Sequence, residues 1–245
     1  MKHDLKIDGR QQSGFSMVEM MIAIALGLFL LAGVITVFVS FKRAFNLQQG
    51  SSRAQESGRI GLFIVTRTAR MAGFYSDPGQ YQMTNTIFAS PATAVSGTEG
   101  GANPDTLTVR YQGHSDKTVV DCLGNSIEAG VLAENTFSLG AVDARTNARP
   151  LMCTLNIPAA STPINNLQTK LMDGVVDFQV EYGVDTNGDR LADQYLKANA
   201  VTDWTTVHSI RITMTTNSLD AVGASAVTGR RLTQTYSQTI DLRNL

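Results

Sequence analysis

The chain has 245 residues, of which 17% are charged and 43% hydrophobic, with a formal net charge of -1. That length allows one sizeable domain with an appendage, and the apolar share excludes a disordered chain. The near-neutral balance gives no electrostatic footprint for binding nucleic acid. Aromatic residues are few, at 7%, while Gly, Thr, Ser, Asn and Ala are plentiful, as in many secreted β-rich domains.

The segment from Gly14 to Phe41 reads GFSMVEMMIAIALGLFLLAGVITVFVSF. From Phe15 to Phe41 the only ionisable side chain is Glu19. At a rise of ~1.5 Å per residue the run reaches across a ~30 Å hydrocarbon core, and it exceeds the apolar stretch of an ordinary secretory signal. The pattern predicts one membrane-spanning helix over 15–41, behind a short leader bearing Lys2, Lys6 and Arg10. The positive-inside tendency puts that leader in the cytoplasm, although Lys42 and Arg43 beyond the run reduce the charge asymmetry. Glu19 lies in the first turns, where the helix dipole favours a carboxylate. A functional alternative starts from the cost of a carboxylate at membrane depth, which demands a cationic partner. The spanning residues supply none. A cut behind Gly14 would create a free amino group at Phe15, four residues away.

A short basic leader ending in glycine, then FSMVE and about twenty apolar residues, resembles the type III signal of type IV prepilins and of type II secretion pseudopilins. The resemblance implies that a membrane peptidase cuts after Gly14 and that Phe15 becomes the N-methylated first residue. It also implies that Glu19 neutralises the amino terminus of a neighbouring subunit during filament assembly. Many major pilins carry a proline where this chain has Thr36, so the resemblance is to minor pilins and pseudopilins.

No proline interrupts residues 42–73. At ~100° per residue, Ile60, Gly61, Ile64, Val65, Thr68, Met71 and Ala72 share one arc. Glu56, Arg59, Arg67 and Arg70 fall on the other side, with Phe63 among them. This predicts an amphipathic half-helix packed on a domain, its arginine side either solvated or in contact with lipid or a partner. Gly73 is the expected stop, and QQGSS around Gly50 a weak spot where the helix would bend or melt.

After Gly73, GFYSDPGQYQ and SPATAVSGTEGGANPD are loops by their Gly, Pro and Ser content. Strands are expected at TLTVRYQ from Thr106, KTVVDC from Lys117, NTFSLGAV from Asn135 and RPLMCTLNI from Arg149. Further strands follow at GVVDFQVEYGV from Gly174, VHSIRITMTT from Val207 and RRLTQTYSQTIDL from Arg230. Ile210, Ile212 and Met214 alternate with Arg211 and Thr213, the pattern of a half-buried strand. Turn-rich spacers make the sheet antiparallel. The fold class is α+β: a long N-terminal helix, membrane half plus amphipathic half, laid on an antiparallel β-sheet domain, as in pilins.

Within YGVDTNGDRLADQYL, Asp185, Asn187, Asp189 and Asp193 occupy positions 1, 3, 5 and 9 of an EF-hand-like loop, with the Leu191 carbonyl at position 7. Arg190 stands where the pattern has Gly, and Leu196 where it has Glu. A calcium loop is one expectation. The other is a plain hairpin, with Asn187–Gly188 as a two-residue turn. No other cofactor is required.

No catalytic constellation is legible. His3 is in the leader, His114 sits in the polar turn QGHSDK, and His208 begins a strand. GxSxG, P-loop, HExxH and GxGxxG patterns are absent. Trp204 is a packing anchor. The chain is expected not to be an enzyme.

RMAGFY after the helix, VEYGVDTNGDRLADQY midway and the ending RRLTQTYSQTIDLRNL are similar to the PilW family of minor pilins. No motif supports the stretch from about Ala89 to Ile164. The resemblance implies a subunit that primes or joins type IV pili, with other minor pilins, the major pilin and the prepilin peptidase as partners. It would sit in the bacterial inner membrane with a periplasmic C-terminal domain, then in the pilus fibre or at its tip. The partition is then a leader over 1–14, the membrane and assembly helix over 15–41, the amphipathic half-helix over 42–73 and the periplasmic β domain over 74–245. A minor pseudopilin, or an anchored binding module that never polymerises, are the alternatives. In a periplasmic domain Cys122 and Cys153 are expected to pair, closing a loop worth ~3–4 kcal/mol; two buried thiols are the alternative.

Overall fold

A computed structural model describes residues 14–76, 93–101, 103–218 and 231–244. The leader residues 1–13, with His3, Lys2, Lys6 and Arg10, lie outside the described residues. So do residues 77–82 of the first expected loop, residues 90–92 and 102 of the second, and Arg230. The chain divides into two compact units, Met1–Asn46 and Leu47–Leu245.

The helix α1 spans Met17–Ala69 and contributes to both units. Its part in the first unit is exposed throughout and, up to Phe41, carries Glu19 as its one ionisable side chain, with Phe29 79% and Leu30 69% accessible. Among the described residues it is the one helix long and apolar enough to cross a membrane. The Thr36 hydroxyl donates to the Ala32 carbonyl at 2.8 Å and the Ser40 hydroxyl to the Thr36 carbonyl at 2.9 Å. The helical ladder is kept, because threonine retains the backbone N–H that proline lacks.

In the second unit the remainder of α1 packs on an eight-stranded antiparallel sheet. The strands are β1 Val95–Thr98, β2 Thr106–Gln112, β3 Leu132–Leu139, β4 Arg149–Ile157, β5 Ile164–Val184, β6 Gln194–Lys197, β7 Val207–Asn217 and β8 Thr233–Asp241. Their order is β1-β2-β3-β4-β5-β7-β8, with β6 paired to β5 off that path. The 21-residue β5 holds the sheet together. Its first half pairs with β4 up to Arg149↔Val175, and its second half pairs with β7 from Val175↔Thr216. Gly174 marks the change-over at φ +88°, a left-handed backbone that a side chain would strain.

The core lies between helix and sheet. Tyr111, Phe137, Phe178, Tyr182, Ile210, Ile212 and Met214 are fully buried. Each of the large aliphatic ones contributes ~1.5–3 kcal/mol by leaving water. The alternation in β7 places Ile210, Ile212 and Met214 inside and Arg211 and Thr213 towards the surface.

Several expectations are corrected. The helix runs unbroken through Gly50, which is buried beside Asp173, Thr216 and Asn217. The buried stripe of α1 is Gly50, Ala54, Gly58, Gly61, Val65 and Thr68, so it starts earlier than the apolar arc and uses small residues. Close approach sets that choice: a Cβ at Gly58 would run into the Tyr236 ring, and one at Gly61 into the Met172 sulfur. Ile60, placed on the buried arc by periodicity, is 43% exposed. KTVVDC is not a strand. The Asp121 carboxylate accepts from the N–H groups of Leu123 at 2.8 Å and Asn125 at 2.9 Å, which folds the chain into a turn instead of a ladder. The strands β1 and the first half of β5 fall where loops or no motif were expected. The helix ends at Ala69, and Gly73 follows at φ +74° with its N–H donated to the Arg110 carbonyl at 3.0 Å.

Candidate assembly site

The start of α1 gathers the residues singled out for processing. Gly14, Phe15 and Ser16 precede the helix and are exposed, and the helix begins at Met17. A carboxylate oxygen of Glu19 accepts from the Ser16 N–H at 3.4 Å. Ser16 and Glu19 form the S-x-x-E spacing of a capping box, in which the glutamate reaches back to an otherwise unpaired N–H. The sequence offers Glu19 either the helix dipole or a cationic partner; the Ser16 N–H is a third contact, legible in the S-x-x-E spacing. Gly14 has nothing among the described residues within 4 Å of where a side chain would begin.

In the second unit, Cys122 and Cys153 form a disulfide with a sequence separation of 31. It ties the 113–131 excursion between β2 and β3 to β4. The same excursion is held by the Tyr111 hydroxyl, which donates to the Val120 carbonyl at 2.8 Å. The Cys122 N–H donates to the buried Asn135 side chain at 2.8 Å, and Arg67 donates to the Asp121 carbonyl at 3.0 Å. Arg67, expected on the solvated face, therefore anchors helix to loop. Burial pushes the Tyr111 hydroxyl far above its ordinary pKa, so it stays a neutral donor.

The Asp-rich segment connects β5 to β6 as a nine-residue loop, Asp185–Asp193, and not as a two-residue turn at Asn187–Gly188. Its hub is Asp185. One carboxylate oxygen accepts from the N–H of Asn187 at 2.9 Å and Gly188 at 2.7 Å, the other from that of Arg190 at 2.7 Å. Burial raises the Asp185 pKa, but these N–H groups outweigh it and the net shift is downward. Asp193 accepts from the Thr186 hydroxyl at 2.6 Å and N–H at 2.7 Å, which lowers its pKa against burial and the nearby Asp185. Arg190 takes φ +65°, the backbone that the EF-hand pattern reserves for Gly. Among the described residues no three His, Cys, Asp or Glu side chains stand together as a metal-binding group. His114 lies 2.8 Å from Asp116 at the surface, and His208 sits 3.8 Å from Asp185. Trp204 packs edge-on to Tyr182 at 4.8 Å, the anchoring role expected of it.

Residues 9–35 match the family model of the prokaryotic N-terminal methylation motif, and residues 141–244 match that of the type IV pilus-assembly protein W family. No curated protein matches the chain. Among solved structures it is similar to a type IV-like pilin from Thermus thermophilus. That similarity has 12% identity and a TM-score of 0.44, and it covers 79% of this chain and 98% of the other. The methylation motif on an apolar helix defines the class as a membrane-anchored, prepilin-like subunit that the prepilin peptidase processes. Within that class, residues 141–244 carry the PilW-type domain, which supports a type IV pilus minor pilin, a structural subunit that interacts with other pilus components.

Proposed function

We propose that this minor pilin is cut after Gly14, methylated at Phe15, and primes type IV pilus assembly from the inner membrane together with other minor pilins and the major pilin. The observation that carries the proposal is Glu19, held in the first turn of an uninterrupted, exposed apolar helix directly behind Gly14. In a membrane the apolar side chains pack laterally on neighbouring helices, and the Glu19 carboxylate exchanges the Ser16 N–H for the amino terminus of an adjacent subunit. The β domain faces the periplasm and supplies partner specificity. The disulfide supports that side of the membrane, since such bonds persist in oxidising compartments. The chain partitions functionally into a leader (1–14), an assembly helix (15–41), an amphipathic half-helix (42–73) and a β domain (74–245).

Calcium in the Asp185–Asp193 loop is a subsidiary proposal. It is supported by the oxygen donors of Asp185, Asn187, Asp189 and Asp193, the Leu191 carbonyl, and the left-handed Arg190. Titration calorimetry of the full chain with calcium tests it, and absence of a binding isotherm at millimolar calcium removes it.

Intact mass with N-terminal fragmentation of the protein from native membranes tests the main proposal. The expected chain starts at N-methylated Phe15. Gly14→Val is expected to leave the leader attached. A wild-type chain starting at Met1 in cells with an active prepilin peptidase overturns the assembly mechanism and leaves an anchored module that does not polymerise.

A further inference from the structure

The flank of α1 beside β8 borders an open groove of about 750 Å³. Arg59, Leu62, Phe63, Arg70 and Met71 line one wall, and Tyr236 of β8 stands on the other. The helix wall is apolar at its centre: Phe63 is 63% exposed although it belongs to the folded unit. The rim is cationic. Arg59 contacts Glu56 at 2.8 Å, with both side chains more than half exposed. Arg70 has no ion-pair partner among the described residues. Among the described residues no Asp or Glu lines the groove.

The second observation concerns the sheet. Among the described residues β8 pairs only with β7, and no described strand lies on its other edge. From Thr233 to Ile240 this edge carries neither a charged residue nor a proline, the devices that usually guard free edges. A strand laid along β8 gains main-chain hydrogen bonds, and every second side chain points to the α1 face of the sheet.

Groove and edge together point to one occupant, and we infer that it is an extended, acidic segment of another pilus subunit. This segment adds a strand to β8, places an apolar side chain against Leu62, Phe63 and Met71, and directs carboxylates at Arg59 and Arg70. The inference rests on the pilus-subunit proposal above and names a surface through which that role selects a partner. The apolar contact supplies affinity, while the guanidinium rim discriminates partners and steers encounter.

The test places photo-reactive benzoylphenylalanine at position 63 of the full-length chain in pilus-assembling cells. Position 191 serves as control, since Leu191 is 68% exposed but lies in the Asp loop. The expected result is a crosslink, several-fold above the control, to one sequenced peptide of another pilin that carries Asp or Glu next to an apolar residue. The double reversal Arg59→Glu with Arg70→Glu reduces the yield about tenfold, as loss of two exposed ion pairs and their replacement by repulsion implies. Arg59→Lys with Arg70→Lys keeps most of it. Protease resistance checks that each variant folds. Crosslinks only to phospholipid, to a second copy of this chain or to a segment without carboxylates overturn the inference. A yield indifferent to charge reversal, or none above control, overturns it too. Intact mass on the same sample separates the two failures. A chain starting at Phe15 without a crosslink removes the groove inference alone, whereas an uncut chain removes the pilus-subunit proposal and the inference with it.

Discussion

Replacing both Cys122 and Cys153 by alanine tests how the second unit is held. The bond closes a loop with a sequence separation of 31. The chain-entropy relation then gives ~12 cal/mol/K of constraint on the unfolded chain, ~3.7 kcal/mol at 25 °C. In a folded unit of this size, ~1 kcal/mol moves the melting temperature by ~2–4 °C, so the double variant is expected to melt ~7–15 °C lower. Both cysteines are buried, so alanine introduces no unpaired polar group. The assay is a near-ultraviolet circular dichroism melt of the full chain in detergent micelles, with and without reductant. Hydrogen exchange adds a local readout, because the 113–131 excursion also loses its tether to β4 while keeping the Arg67, Tyr111 and Asn135 bonds. Its amides are expected to exchange faster than those of β7. A drop below ~3 °C, about 1 kcal/mol by the same conversion, together with unchanged exchange in 113–131, refutes the argument that the bond constrains this loop.

Three other outcomes are expected. Glu19→Ala inserts into the membrane normally but lowers the number of pili in complemented cells; full piliation would reduce Glu19 to a helix cap. Gly61→Val forces a branched side chain against the Met172 sulfur and the Met214 methyl group. Overpacking of ~1–3 kcal/mol against a helix-propensity gain below ~1 kcal/mol lowers the melting temperature by several degrees, whereas Gly33→Ala, with open space around it, does not. The β5–β6 loop is acid-sensitive. Asp185 and Asp193 have pKa values depressed on folding, so their contribution is complete above the unfolded value of ~4 and is lost as pH falls through the lower folded values. The protection of the Gly188 and Arg190 amides, taken relative to the intrinsic exchange rate at each pH from 6 to 2, is expected to fall only below about pH 4; constant protection contradicts the role of Asp185 as hub.

The most legible features were those governed by local chemistry. TLTVRYQ and RPLMCTLNI mark β2 and β4 to the residue, because β-branched runs between turn signals leave little choice. The apolar run and its bracketing Gly14 and Glu19 were equally plain. What failed was decided by tertiary contact. Ile60 obeys the helical period yet faces water, since the sheet meets α1 along Gly50, Ala54, Gly58 and Gly61. Small residues register as weak in a hydrophobicity count even where close approach requires them. KTVVDC has strand composition, but the Asp121 carboxylate holds the Leu123 and Asn125 N–H groups in a turn just beyond it, and only an isolated bridge at Val120↔Ser126 forms. The first half of β5 is polar and mostly exposed, so no periodicity announces it; only pairing with β4 makes it a strand. The Asn187–Gly188 signal was outweighed by Asp185, whose carboxylate organises a longer loop. The Ser16 contact is not announced by charge, since its N–H bond to Glu19 is a matter of helix capping.

The change-over at Gly174 gives the sheet the mechanics of a lap joint. The β4 ladder ends at Arg149↔Val175, and the β7 ladder begins at Val175↔Thr216, so the overlap is one residue long. A load carried from β1–β4 towards β7–β8 passes through that short splice. Asp105 acts as a pin across it: its N–H donates to the Phe178 carbonyl at 2.8 Å, and its carboxylate accepts from the Val180 N–H at 2.9 Å. In a subunit under tension, shear is concentrated at this joint, and Asp105 is the fastener that determines whether the two boards of the sheet move as one.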